Sequence, residues 1–102
     1  MQSVLDEEDL GRTLLRKEVL FYHQVLEESL DHLLQALFAM NDTYFPSRKR
    51  MQQYLEKFTN KPENCYARLS QMIEDGAKEE TIEKSIAELR SLVEDMKIID
   101  HL

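Results

Sequence analysis

Between Leu15 and Met40, apolar residues recur at spacings of three and four without interruption: Leu15, Val19, Tyr22, Leu26, Leu30, Leu33, Leu37 and Met40. That rhythm marks one face of an α-helix, because side chains three and four apart stack on the same side of the cylinder. Leu14, Phe21, Val25, Leu34 and Phe38 widen the stripe, so the helix must bury itself against more than one neighbour. The spacing predicts a helix over 12–41, roughly 45 Å long and central to the fold.

The remaining elements follow from the same logic and from few breakers, two glycines and two prolines in 102 residues. Ser3, Val4 and Leu5 open a short acidic element over 3–10, which Gly11 ends. The run from Asn41 to Ser47 closes the long helix, since Phe45 before Pro46 is pushed out of the helical region. Ser47 is the expected N-cap of a helix over 48–58, with Met51, Tyr54, Leu55 and Phe58 inward. Residues 59–61 form a turn. Pro62 then suits the first position of a helix running to Asp75, which Gly76 stops as a C′ residue. The last helix, over 78–99, carries a seam of Ile82, Ile86, Leu89, Val93 and Met96, broadened by Leu92. No run alternates with period two, so strands have no support. The expected fold is an all-α, four- or five-helix up-and-down bundle with one long central helix, a single domain over 1–102. Its core is expected to hold Leu26, Leu30, Leu33, Leu37, Leu69, Ile73, Ile86, Leu89 and Val93. Around Leu15, Val19 and Tyr22 the long helix should stay partly exposed and favour a homo-oligomer or another partner.

Charge narrows the functional classes. The net charge of −7 disfavours general binding to nucleic acid or anionic membranes. Asp6, Glu7, Glu8 and Asp9 are incompatible with a signal peptide, and no apolar run is long enough to span a membrane. The single cysteine, Cys65, rules out an internal disulfide and suits a reducing cytoplasm. It sits beside Leu69 and Met72 on an apolar face and is expected to be a small core residue.

Catalytic chemistry has little to stand on. His23 and Glu27, like Glu28 and His32, are four apart and able to ligate a metal. Neither pair has the Glu-x-x-His repeat on a second helix that a di-iron bundle needs. Helix-surface pairing is the simpler account. Arg16 and His23 lie on one helical face, as the ribonuclease pair of HEPN-type proteins does, but early in the long helix rather than late in the bundle. No glycine-rich phosphate loop and no nucleophile elbow is present.

One segment stands apart. Tyr44, Phe45, Pro46, Ser47, Arg48, Lys49 and Arg50 join an aromatic pair and a rigid proline to three consecutive cations in an acidic chain. Cations at a helix start oppose the helix dipole, and a position that costs stability invites a role such as holding a phosphate. The stretch from Leu33 to Lys49 resembles the helical domain that follows the catalytic domain in some nucleotidyltransferase-superfamily proteins. There a helix ends in a Leu-Phe-Ala-Leu-Asn-Arg-x-Tyr-Phe-Pro-x-Arg-Lys phrase. Tyr54 to Phe58 and Lys61 to Cys65 are similar to it as well, and Asp42 stands where the phrase has Arg. The likeness is in kind to the C-terminal domain of kanamycin-type nucleotidyltransferases and, more distantly, to HEPN substrate-binding proteins.

The resemblance implies an accessory domain, non-catalytic alone, that packs on a nucleotidyltransferase catalytic domain in the same or a separate chain. Tyr44, Arg48, Lys49 and Arg50 would help bind substrate or nucleotide. The resemblance implies no cofactor in this chain and leaves a magnesium-bound nucleotide to the catalytic domain. Two other readings stand beside it: a helical interaction or dimerisation module, and a HEPN-like ribonuclease using Arg16 and His23.

Overall fold

The structure, a computed structural model, describes residues 18–100. Within them the chain forms four α-helices: α1 (Val19–Met40), α2 (Met51–Lys57), α3 (Cys65–Asp75) and α4 (Ile82–Asp100). A 3-10 turn, Glu79–Thr81, leads into α4, and no strand occurs among the described residues. The acidic element expected over 3–10 and residues 12–17 of the expected long helix, including Leu15 and Arg16, lie outside the described residues; within them the helix begins only at Val19, because Glu18 before it is extended (φ −83°, ψ 98°) and breaks the helical path.

The 22 residues of α1 bury Tyr22, Val25, Leu26, Ser29, Leu30, Leu33, Leu34, Leu37 and Phe38. Steps of three and one make two adjoining rows, a stripe wide enough to meet more than one neighbour. At one end the Tyr22 hydroxyl and Ser85 Oγ lie 2.7 Å apart, and Ser85 donates to the Met72 carbonyl at 2.7 Å. Since Ser85 spends its one proton on Met72, Tyr22 is the donor to Ser85. This relay ties α1, α3 and α4 together at one level, and it leaves no buried polar side chain among them unpaired. At the other end Met40 of α1 and Asp100 of α4 line one shallow cleft. Helices α1 and α4 therefore run parallel, with α3 antiparallel to both and α2 in the connection.

The most extensive helix–helix contact is between α3 and α4. Arg68 reinforces it with ion pairs to Glu88 and, at 2.8 Å, to Asp95, and with a hydrogen bond of 3.0 Å to Ser91 Oγ. Burial works against the Arg68 charge, but the Asp95 and Glu88 carboxylates outweigh it and raise its pKa above the usual arginine value.

Eight of the nine expected core residues are buried, from Leu26 on α1 to Val93 on α4. The exception is Ile73, which is 40% exposed. On α3, Leu69 and Met72 take the row that faces the core, and Ile73, one step further round the helix, falls at its edge. Tyr22, expected to be exposed, is fully buried under the Ser85 relay, and Val19 is partly buried. Among the described residues, Leu20, Tyr44, Tyr66, Ile73 and Ile98 are the large apolar residues left exposed.

The starts of α2 and α3 also differ from expectation. Helix α2 starts at Met51 rather than after Ser47, because Arg50 is left-handed (φ 58°, ψ 27°) and breaks the helical path there. Ser47 Oγ instead accepts the Lys49 N–H at 3.2 Å, a tight turn ahead of the helix. The three cations are thus outside the helix, not in its first turn. Helix α3 starts at Cys65, three residues after Pro62, again behind a left-handed residue, Asn64 (φ 55°).

Gly76 does follow the last residue of α3, but not as a left-handed terminator: its φ is −73°. What requires glycine is space. A Cβ there would lie 2.9 Å from Tyr22 Cε2, 3.0 Å from Ser85 Oγ and 3.1 Å from Leu26 Cδ2. Alanine would gain about 0.4–1 kcal/mol by restricting the unfolded chain. The ring it strikes is held by the Ser85 hydrogen bond, so overpacking dominates, at about 1–3 kcal/mol. Gly76→Ala should therefore lower stability in urea denaturation; unchanged or higher stability would show that the three helices separate there at no cost.

Candidate functional site

The loop between α1 and α2 is fixed at four points. Asn41 caps α1: its Nδ2 donates to the Leu37 carbonyl at 2.8 Å and to the Asn60 carbonyl at 2.8 Å. Asn60 answers with its own N–H to Asn41 Oδ1 at 3.0 Å and its amide to the Met40 carbonyl at 3.1 Å. Two turns read separately in the sequence are thus clipped to each other. Phe45 is the second point, its ring 5.1 Å from that of Phe38. Arg48 is the third and Met51, packed against the core, the fourth.

Arg48 bridges two carboxylates one turn apart on α1. Its Nη1 lies 2.8 Å from Glu27 Oε2 and its Nη2 2.7 Å from Asp31 Oδ1. Burial opposes the charge, but hydrogen bonds and Coulomb attraction from Asp31 and Glu27 more than offset it, and the guanidinium pKa is raised. Arg48 is therefore a clamp that holds the loop to α1.

Between the fixed points the side chains of Asp42, Tyr44, Lys49 and Arg50 have no polar partner among the described residues. Tyr44 is 84% exposed, so it neither closes the turn nor joins the core. Lys49 and Arg50 are exposed, with no side-chain partner among the described residues. Arg50 holds a left-handed backbone that non-glycine residues avoid. Strain of that kind, of order 1–3 kcal/mol, persists only where neighbours enforce it and tends to gather at functional positions. Because α2 has only seven residues and begins after Arg50, its N-terminus adds no anion site of its own.

Beside this loop, α1, α2 and α3 enclose a half-open apolar groove of about 170 Å³. Leu30 and Leu34 form one wall, Met51 one end, and Tyr66, Leu69 and Ile73 the other wall, with Arg48 at the rim. Sequence reasoning had no sight of it. The signal was present only as Tyr66 and Ile73, apolar residues on α3 that its core-facing row does not use.

The other sequence-level candidates do not come together. His23 and His32 are exposed on α1, and Glu27 is drawn to Arg48. No group of three or more His, Cys, Asp or Glu residues is placed to hold a metal ion among the described residues. Arg16, the partner of His23 in the ribonuclease reading, lies outside them. Cys65 is buried, with its thiol pushed up to about 11 by burial, partly offset by the Arg68 and Lys61 cations. Among the described residues no helix is long and apolar enough to cross a membrane. Comparison with family models, with curated proteins and with solved structures finds no match.

Proposed function

We propose that this chain is a helical accessory domain that works beside a nucleotidyltransferase catalytic domain, helping to bind substrate or nucleotide and carrying no catalysis alone. The observation that supports this reading most is the division of labour in the 41–50 loop. Phe45 and Arg48 fix the loop, and Tyr44, Lys49 and Arg50 are left facing outward. Tyr44, Phe45, Arg48 and Lys49 are positions of the Tyr-Phe-Pro-x-Arg-Lys phrase that carries the resemblance, and Arg50 follows it directly. Fixing the backbone in advance removes an ordering cost that a phosphate contact would otherwise carry. Lys49 is a compact charge and Arg50 a planar fork, and both suit phosphate oxygens. Tyr44 offers a face for a base or sugar ring. Arg48 supports the site from behind rather than touching the ligand.

A contact of this size contributes about 1–3 kcal/mol, too little for the isolated chain to hold a nucleotide. The test belongs in the complete protein or complex, recognised by a Gly-Ser … Asp-x-Asp segment in the same or a neighbouring reading frame. There Lys49→Ala should lower nucleotide affinity or transfer rate about tenfold, equivalent to ~1.4 kcal/mol. Unchanged affinity and rate, with the helical signal intact, would return the loop to an ordinary solvated surface.

The interaction-module reading is favoured by a different observation, the apolar groove, and that observation carries a proposal of its own.

A further inference from the structure

We infer that the groove between α1, α2 and α3 is a docking seat for one apolar side chain carried on an acidic segment of a partner polypeptide. This goes beyond the nucleotide reading and does not depend on it.

Size selects the kind of occupant. At about 170 Å³ the groove is near the volume of an engineered cavity that admits a single benzene ring. Sites for whole metabolites and cofactors run from about 300 to 1,000 Å³ and enclose most of the ligand. A half-open groove of one ring's volume suits a Leu, Ile or Phe side chain whose backbone stays outside. Its walls are apolar, from Leu30, Leu34, Met51, Leu69 and Ile73, and Tyr66 adds a ring with a polar tip.

Exposure points the same way. Ile73 is 40% and Tyr66 42% exposed, although both lie on a helix that buries Leu69 and Met72. Aromatic and aliphatic residues at the edge of a concave apolar surface are the usual anchors of peptide recognition.

Charge then chooses the flank. At the rim, Arg48 is already occupied by Glu27 and Asp31, so it offers a wall rather than a free charge. Lys49 and Arg50 stand between Arg48 and Met51 in the chain, and both of those residues line the groove. Among the described residues Lys49 and Arg50 have no side-chain partner, so the loop brings two available positive charges to the Arg48–Met51 side of the groove, in a chain whose net charge is −7. Most of this surface repels an acidic segment. On this side of the groove an acidic segment finds cations next to an apolar seat, which gives the site its selectivity.

The test is a displayed library of random 16-residue peptides selected against the wild-type chain. Ile73→Asp, half-exposed and checked for an intact helical spectrum, serves as the counter-target. Selected peptides should share one Leu, Ile or Phe flanked by Asp or Glu. Synthetic versions should bind at least tenfold more weakly to Ile73→Asp, and to a Lys49→Glu, Arg50→Glu double variant. Replacing the anchor by Ala in the peptide should have the same effect. Failure to enrich any peptide, or enrichment of basic ones, overturns the proposal, as does equal binding to Ile73→Asp. A wild-type chain that dimerises in sedimentation while Ile73→Asp stays monomeric would put a second copy in the groove and also overturn it. Lys49→Ala in the nucleotide assay leaves Ile73 untouched, so each reading can fail without the other.

Discussion

Replacing Phe38 with alanine should lower the stability of the fold by about 3–5 kcal/mol, the range for deleting a fully buried aromatic side chain. Phe38 is completely buried at the end of α1, and three rings close on it. Phe58 meets it edge-on with centroids 4.8 Å apart, and Phe45 and Tyr54 lie tilted at 5.1 Å each. Each such pair adds about 0.5–1.5 kcal/mol beyond area alone. The Phe38 carbonyl also accepts the N–H groups of Asn41 and Thr43, at 3.1 and 2.9 Å, which start the loop. Phe38→Leu keeps most of the volume, satisfies the same backbone, and should cost less than about 1.5 kcal/mol. Chemical denaturation of both variants checks this; a loss below ~1 kcal/mol for Phe38→Ala would mean that the rings do not close the core. The variant should also speed amide exchange in residues 43–51 more than at the Tyr22 end, because Phe45 loses the surface that holds it.

That cluster shows how far the sequence could be read. Phe38 and Tyr54 fall on helical faces and Phe58, just past the end of α2, continues the same spacing, so periodicity alone places them inward. Phe45 does not, because a loop has no period and its burial depends on where α2 happens to lie. The same limit applies to Arg48. Three consecutive cations read as one charge, and nothing in the sequence separates the one that finds Glu27 and Asp31, 21 and 17 residues away, from the two that do not. Element types and most of the core were legible because they rest on spacing within a helix. Helix starts at Met51 and Cys65 were not, because left-handed Arg50 and Asn64 come from the packing of the loops, and arginine carries no sequence preference for that conformation. Ile73 failed for a related reason. Apolar type alone does not decide burial, which is set by the row of α3 that meets α4. The groove is the product of that difference.

Cys65 should be nearly inert to thiol reagents in the folded chain, and its ionisation should weaken the fold at alkaline pH. Two effects compete at this position. Cys65 is the first residue of α3, where the helix dipole favours a thiolate. It is also 3% exposed, and burial disfavours any charge. Burial wins, and the thiol is pushed from 9.0 up to about 11, with Arg68 and Lys61 only partly offsetting it. At pH 8 the folded thiol is then about a thousandth ionised and the unfolded one about a tenth. Reaction with a disulfide reagent should be at least ~100-fold slower than in urea-unfolded chain, and slower still because the sulfur is covered. A native rate within tenfold of the unfolded one would mean that the α2–α3 junction opens freely. The sign of the pH effect follows from proton counts. Below pH 9 both states hold the proton and stability does not depend on this group. Between about 9 and 11 the unfolded thiol ionises while the folded one does not, so the unfolded state gains and stability falls as pH rises. Two pKa units correspond to roughly 2–3 kcal/mol once the pH passes 11. The comparison that isolates it is Cys65→Ala, which gives up packing equally at every pH. The stability gap between wild type and variant should narrow from pH 8 to pH 11; a constant gap would show that the buried thiol does not control alkaline unfolding.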